Sequence, residues 1–172
     1  MTPEPRDPTP TEGVRAARFE ELPPTTAYAV WRLRAEIFVV EQDCVYLDLD
    51  GRDTEPGTEH WWIAGEADDG PDTPVATYLR VLVTDHPDTR VIGRVVTAPT
   101  HRGRGLAARL MRACLADLDG RGVRTVEIGA QAHLAAWYAG FGYERAGGDY
   151  LEDGIPHTPM RRVTGPGGPR GA

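Results

Sequence analysis

Cysteine is scarce in this chain: 2 among 172 residues, far apart at Cys44 and Cys114. That excludes a disulfide framework and points to free thiols in a reducing compartment. Long apolar runs are missing too. None approaches the roughly 18 residues a membrane span needs, and the mean hydropathy of -0.42 agrees. The N-terminal stretch has no basic region followed by an apolar one, so no secretory signal is expected and the cytoplasm is the expected location. Positive charge does not dominate. The net charge of -7 and the pI near 5.2 argue against a nucleic-acid partner, which needs many cations to displace counterions from phosphates. No His or Cys spacing suits a metal, so none is expected.

What is there fits one domain. A chain of 172 residues with 40% hydrophobic and 26% charged residues fills one core and is short for two. Residues 1–13 are rich in proline and residues 164–172 in glycine and proline, so both are expected as disordered tails around a domain at 14–163. Val14 to Phe19 reads as a first strand. Thr26 to Glu41 carries Val30, Leu33, Ile37 and Val40 at helical spacing, and Gln42 to Glu59 reads as a long polar surface loop. His60 to Ala67, Pro74 to Val83 and Arg90 to Thr97 have strand composition and suggest an antiparallel meander. Gly105 to Asp119 is an amphipathic helix with Leu106, Leu110, Met111, Cys114, Leu115 and Leu118 on one stripe. Thr125 to Gln131 is a buried strand and Leu134 to Gly140 a short helix. Tyr143 to Leu151 and His157 to Val163 close the sheet, giving a mixed α/β order without internal repeats.

The segment Arg102-Gly103-Arg104-Gly105-Leu106-Ala107 lies between a strand and the strongest helix. The first N–H groups of a helix have no internal partner and the dipole there is positive, so a diphosphate can dock if no side chain intrudes. Small residues at 103, 105 and 107 leave room, and Arg102 and Arg104 add charge. The bland alternative is a glycine turn with solvated arginines. The same residues also fit G-x-G-x-x-A, a loose dinucleotide fingerprint, with Glu127 near the spacing of its acidic partner. The three strands before the motif count against that rival.

Taken with Tyr138-Ala139-Gly140-Phe141-Gly142-Tyr143, the spacing of Arg102, Gly105 and Ala107 resembles the GNAT superfamily of N-acetyltransferases. Leu33-Arg34 to Gln42, Tyr46 to Asp53, Ala130 to Leu134 and Tyr150 to His157 resemble its bacterial ElaA-like subgroup. The resemblance implies a strongly twisted mixed sheet of six to seven strands flanked by helices. It implies acetyl-CoA as cosubstrate in a cleft where two central strands splay, its pantetheine arm pairing with the main chain of Val95, Val96 and Thr97. Its phosphates would meet Arg102, Gly103, Arg104, Gly105, Leu106 and Ala107. The expected acceptor is a small-molecule or peptide amine, with no nucleic-acid or membrane partner; a homodimer stays open.

The chemistry needs a base, because an amine with a pKa of about 10.4 is protonated at neutral pH, and an acid for the leaving thiolate. Tyr138 stands at the family's acid position. For the base Glu41 comes first and His157 second, with Glu127, His60 and His133 also open; the superfamily's frequent strand-borne Glu has no counterpart at Arg94. Asp48, Asp50, Asp53, Glu55 and Glu59 form an acidic loop that either draws a cationic amine or is simply solvated. Asp48, Asp50 and Glu59 match a calcium loop at three positions, but Arg52 and the misplaced Gly51 exclude it. Trp61 and Trp62 are candidates for a pocket wall, although neighbours on a strand face opposite sides and one belongs to the core. Besides an acetyltransferase, a catalytically silent acyl-CoA-binding module and a dinucleotide-dependent oxidoreductase stay open.

Overall fold

The computed structural model describes residues 13–65 and 75–165. Both expected tails lie outside it apart from Gly13, Thr164 and Gly165, as do the ends of two expected strands at Glu66–Ala67 and Pro74. The strands are β1 (Val14–Ala17), β2 (Glu59–Ile63), β3 (Thr77–Val83), β4 (Thr89–Thr97), β5 (Thr125–Gln131), β6 (Glu144–Arg145), β7 (Tyr150–Glu152) and β8 (Ile155–Val163). The helices are α1 (Pro24–Arg34), α2 (Leu106–Gly120) and α3 (Ala135–Ala139). The 8-stranded sheet runs β1-β2-β3-β4-β5-β8-β6, with β7 pairing β8. It is the mixed sheet flanked by helices that the resemblance implies. Its count exceeds six to seven because Tyr143 to Leu151, expected as one strand, splits at Ala146–Asp149 into β6 and β7.

β2 to β4 form the expected antiparallel meander, and β1 adds to its edge antiparallel to β2. The crossover through α2 then makes β5 parallel to β4. α2 packs its stripe of Leu110, Met111, Cys114 and Leu118 on one face, against Trp61, Leu79 and Ile92. α1 covers the other face with Val30 and Leu33, and Ile37 just beyond its end joins them, against Trp62, Tyr78 and Val96. Burying each large apolar side chain contributes about 1.5–3 kcal/mol, so the two sandwiched layers account for most of what holds the sheet. Trp61 and Trp62 are therefore both core residues, one per face, and neither lines the cleft between β4 and β5. The expected helix Thr26 to Glu41 begins two residues early and changes character after Arg34, continuing over Ala35–Glu41 as wider π-type turns.

One irregularity in β4 shapes the middle of the sheet. Tyr78 pairs with Val96 but Arg80 with Gly93, so Leu79 faces both Arg94 and Val95. This is a β-bulge, and Arg94 takes a left-handed backbone (φ 54) to make it. The extra residue shifts the phase of alternation. Ile92 and Val96, four apart, consequently pack on opposite faces.

Candidate active site

The parallel ladder between β4 and β5 is short. It pairs only Thr89, Arg90 and Val91 with Thr125, Val126 and Glu127, while both strands run on to Thr97 and Gln131. Beyond that ladder the strands part and open a cleft of about 480 Å³. Its floor is β4 from Val91 to Thr97 and Ile128, Gly129 and Gln131 of β5, with Arg102 at one edge. Other walls come from the segment after α1, including Cys44 and Tyr46, and from the β7–β8 hairpin.

Of the residues singled out from the sequence, Asp50, Val95, Val96, Thr97, Arg102, Tyr138 and His157 meet in this cleft. Gly103 to Ala107 follow directly on Arg102, outside the lining. Gly105 is the N-terminal cap of α2 in a left-handed conformation (φ 71), and no side chain caps the helix there. Gly103 is also left-handed (φ 75), and a Cβ at either glycine would meet nothing within 4 Å. Free N–H groups, a helix dipole and open space coincide at one point, as a diphosphate requires. These residues fit the phosphates of acetyl-CoA.

Tyr138 is held edge-on by Trp137 and Tyr143 at centroid distances of 4.8 and 5.9 Å. Burial pushes its phenol up from the ordinary tyrosine value, so it keeps its proton at neutral pH. His157 lies within 2.9 Å of the Ile155 carbonyl through Nδ1. A carbonyl only accepts, so Nδ1 carries the hydrogen and, in the neutral ring, Nε2 holds the lone pair. Glu41 is not in the lining; its two oxygens accept from Arg102 Nη2 at 2.8 and 3.0 Å. Among the remaining base candidates, Glu127 accepts from Arg161 at 3.0 Å, His60 is fully buried, and His133 sits exposed in the turn before α3.

The acidic loop is tied to arginines rather than simply solvated: Asp48 and Asp53 are buried, Asp50 lines the cleft and Glu55 is exposed. Asp48 accepts from Arg34 Nε at 2.9 Å and Arg94 Nε at 2.7 Å. Asp50 pairs bidentately with Arg80 at 2.8 and 2.7 Å, and Asp53 receives Arg34 Nη1 at 2.6 Å. Glu55 is held by Arg52 and Glu59 by Arg121. Arginines from α1, β3 and β4 thus bind the loop inward, and Arg94, at the superfamily's frequent Glu position, is one of its anchors. No group of three His, Cys, Asp or Glu among the described residues is arranged around a metal position. The G-x-G-x-x-A stretch lies in the only parallel step among the described strand pairings, which argues against the dinucleotide rival, and Glu127 is spent on Arg161.

A GNAT acetyltransferase domain matches residues 73–164. The chain is 40% identical over 154 residues to UPF0039 protein Rv2851c of Mycobacterium tuberculosis, spanning 88% of this chain and 94% of that protein. It resembles the crystal structure of an acyl-CoA N-acyltransferase from Pseudomonas aeruginosa with a TM-score of 0.76 at 38% identity, over 87% of this chain and 99% of that one. The crystal structure of Escherichia coli ElaA matches with a TM-score of 0.77 at 34% identity, over 87% and 97% of the two chains.

Proposed function

Because the chain belongs to the GNAT acetyltransferase family, we propose that it moves an acetyl group from acetyl-CoA to a primary amine by direct attack while both are bound. The observation that carries this reading is the cleft between the diverging ends of β4 and β5, shared by Arg102, Tyr138 and His157. Acetyl-CoA supplies the acetyl group as a thioester whose sulfur must leave with a proton. Gly103, Gly105 and the first N–H groups of α2 hold the diphosphate, with Arg102 and Arg104 beside it. The main chain of Val95, Val96 and Thr97 orients the arm that follows.

His157 is the general base. The amine enters the step neutral, its ammonium proton already lost to solvent. His157 Nε2 takes one N–H proton as the N–C bond forms and the C–S bond breaks, and Tyr138 gives its phenolic proton to the sulfur. Proton exchange with solvent returns both side chains to neutral. Glu41, the first candidate on sequence, acts instead through Arg102 by fixing the guanidinium at the cleft's edge. The acceptor reaches the cleft as a small molecule or a peptide end.

Calorimetry with acetyl-CoA, NAD and NADP in turn tests the cosubstrate: acetyl-CoA binds and the nicotinamides do not. Gly105→Glu abolishes acetyl-CoA binding, because it sets a side chain and a negative charge where the phosphates lie. Tyr138→Phe keeps the affinity and lowers kcat by about a hundred- to ten-thousand-fold, the usual worth of a general acid. The loss shrinks with an acyl donor of more acidic thiol. Acetyl-CoA binding without turnover on any amine would make the chain a silent binding module.

A further inference from the structure

A gap in β5 and an aromatic ring fit one another inside the cleft. Gly129 stands in the middle of β5 without a left-handed backbone, so the chain path does not call for glycine there. What calls for it is Tyr150: a Cβ at 129 would lie 2.5 Å from the Tyr150 hydroxyl oxygen. Tyr150 is on β7, opposite His157 of β8, and β8 separates β7 from β5. Its side chain therefore crosses a whole strand to rest its hydroxyl over Gly129. On the way its ring stacks on His157, with centroids 5.7 Å apart and planes at 27°. Gly129, Tyr150 and His157 all line the cleft. Among the described residues the Tyr150 hydroxyl has no hydrogen-bond partner, and the chemistry above makes no use of it.

We propose that Tyr150 is an acceptor-binding residue that selects primary amines, its phenol oxygen accepting one N–H of the amine while His157 Nε2 accepts the other. This rests on reading the cleft as the site of amine acetylation. A neutral primary amine carries two N–H groups and the cleft offers two neutral acceptors on stacked rings. A secondary amine has one N–H and leaves one acceptor unpaired, a cost that discriminates against it. Gly129 is a positioning residue for the phenol: it sets how far the hydroxyl reaches over the sheet.

The test uses the full chain with n-butylamine, benzylamine and Nα-acetyl-lysine amide, each beside its N-methyl homologue, and an acetyl-CoA titration of every variant. Tyr150→Phe keeps the stacked ring and loses the oxygen. It should raise KM for the primary amine by about threefold to tenfold, the size of one neutral hydrogen bond. It should raise KM more than it lowers kcat, and reduce the preference for primary over N-methyl amine by the same factor. Gly129→Ala should displace the phenol and give a similar loss. In the double variant the Phe ring leaves room for the new methyl, so the two losses should not add. Loss of preference together with this non-additivity supports the proposal. An unchanged KM and preference in Tyr150→Phe, on an enzyme that acetylates the primary amines, overturns it and leaves the acetyltransferase reading standing. A Tyr150→Phe defect confined to kcat and relieved by a more acidic thiol also overturns it, since the phenol would then be an acid. A wild-type chain that binds no acetyl-CoA, or acetylates no amine of the set, removes the acetyltransferase reading and this inference with it.

Discussion

Arg34 is the residue on which the acceptor side of the cleft hangs. Its side chain is wholly buried and donates to Asp48 Oδ2, to Asp53 Oδ1 and, at 2.9 Å, to the Asp48 carbonyl. Asp48 passes the connection to Arg94 at the β4 bulge, whose guanidinium lies 5.4 Å above the ring of Tyr46 in the cleft wall. Removing the guanidinium takes one cation from each of two nearly buried carboxylates, leaving Asp48 with Arg94 and Asp53 with Arg80. Arg34→Met should therefore destabilise the fold by about 3–5 kcal/mol, the cost of breaking a buried ion pair from one side, read as a shift of the urea midpoint. Arg34→Lys should recover only part of that, because an ammonium cannot reproduce the fork that reaches two carboxylates and a carbonyl. Full stability in Arg34→Met would show that the network orders nothing.

At the scale of elements, β2 to β5 and α2 were legible because each carries its own signal: strand composition between turn residues, or an apolar stripe at helical spacing. The glycine loop was legible for the same reason, since its chemistry is local. The segment from Cys44 to Asp50 was not. There Cys44 and Asp48 are buried and Tyr46 and Asp50 turn to the cleft, while Val45, Leu47 and Leu49 face outward at 93%, 77% and 50% exposure. That inverts the usual rule of apolar inside and polar outside, and only the arginines from α1, β3 and β4 explain it. Asp50 meets Arg80 across 30 positions and Asp48 meets Arg94 across 46. No window of local pattern contains such a pair, so the sequence leaves the loop between drawing a cation and being simply solvated. The Gly129–Tyr150 fit was hidden likewise, although a lone glycine inside a strand pattern is a signal of close approach that the sequence did carry. The cap of α2 yields the element-scale prediction. Gly105→Ala meets no steric obstacle but must hold a left-handed backbone, so it should cost about 1 kcal/mol of stability. A thermal midpoint within error of wild type would contradict that.

For the whole molecule, charge is arranged so that acid should be felt in two stages. All 19 basic residues are arginine, and guanidinium stays protonated at any accessible pH, so the cations of the interior network do not titrate. The burden falls on its carboxylates and on His60, which is fully buried between Tyr78 and the Asp53 carbonyl. Nε2 lies 3.0 Å from that carbonyl and must donate to it, so Nδ1 accepts from the Tyr78 hydroxyl at 2.8 Å. Burial holds the imidazole below its ordinary pKa; the Asp53 carboxylate works the other way, and Arg34 and Arg80 add to the depression. The unfolded chain takes up a proton at His60 below about pH 6.5 and the folded chain does not. Stability from this group is whole above that pH and falls as pH drops through it, by up to about 1.4 kcal/mol per pH unit. The second stage belongs to Asp50, held below the usual carboxylate range chiefly by its hydrogen bonds to Arg80. Its contribution is present above about pH 4 and is lost below it. Urea midpoints measured from pH 7.5 to pH 3 should therefore decline first between pH 6.5 and 5 and again below pH 4. His60→Gln should flatten the upper decline and leave the lower one, while Asp50→Asn should do the reverse. A wild-type profile level from pH 7 to pH 5 would mean that His60 charges inside the fold, against the donor and acceptor pattern around its ring.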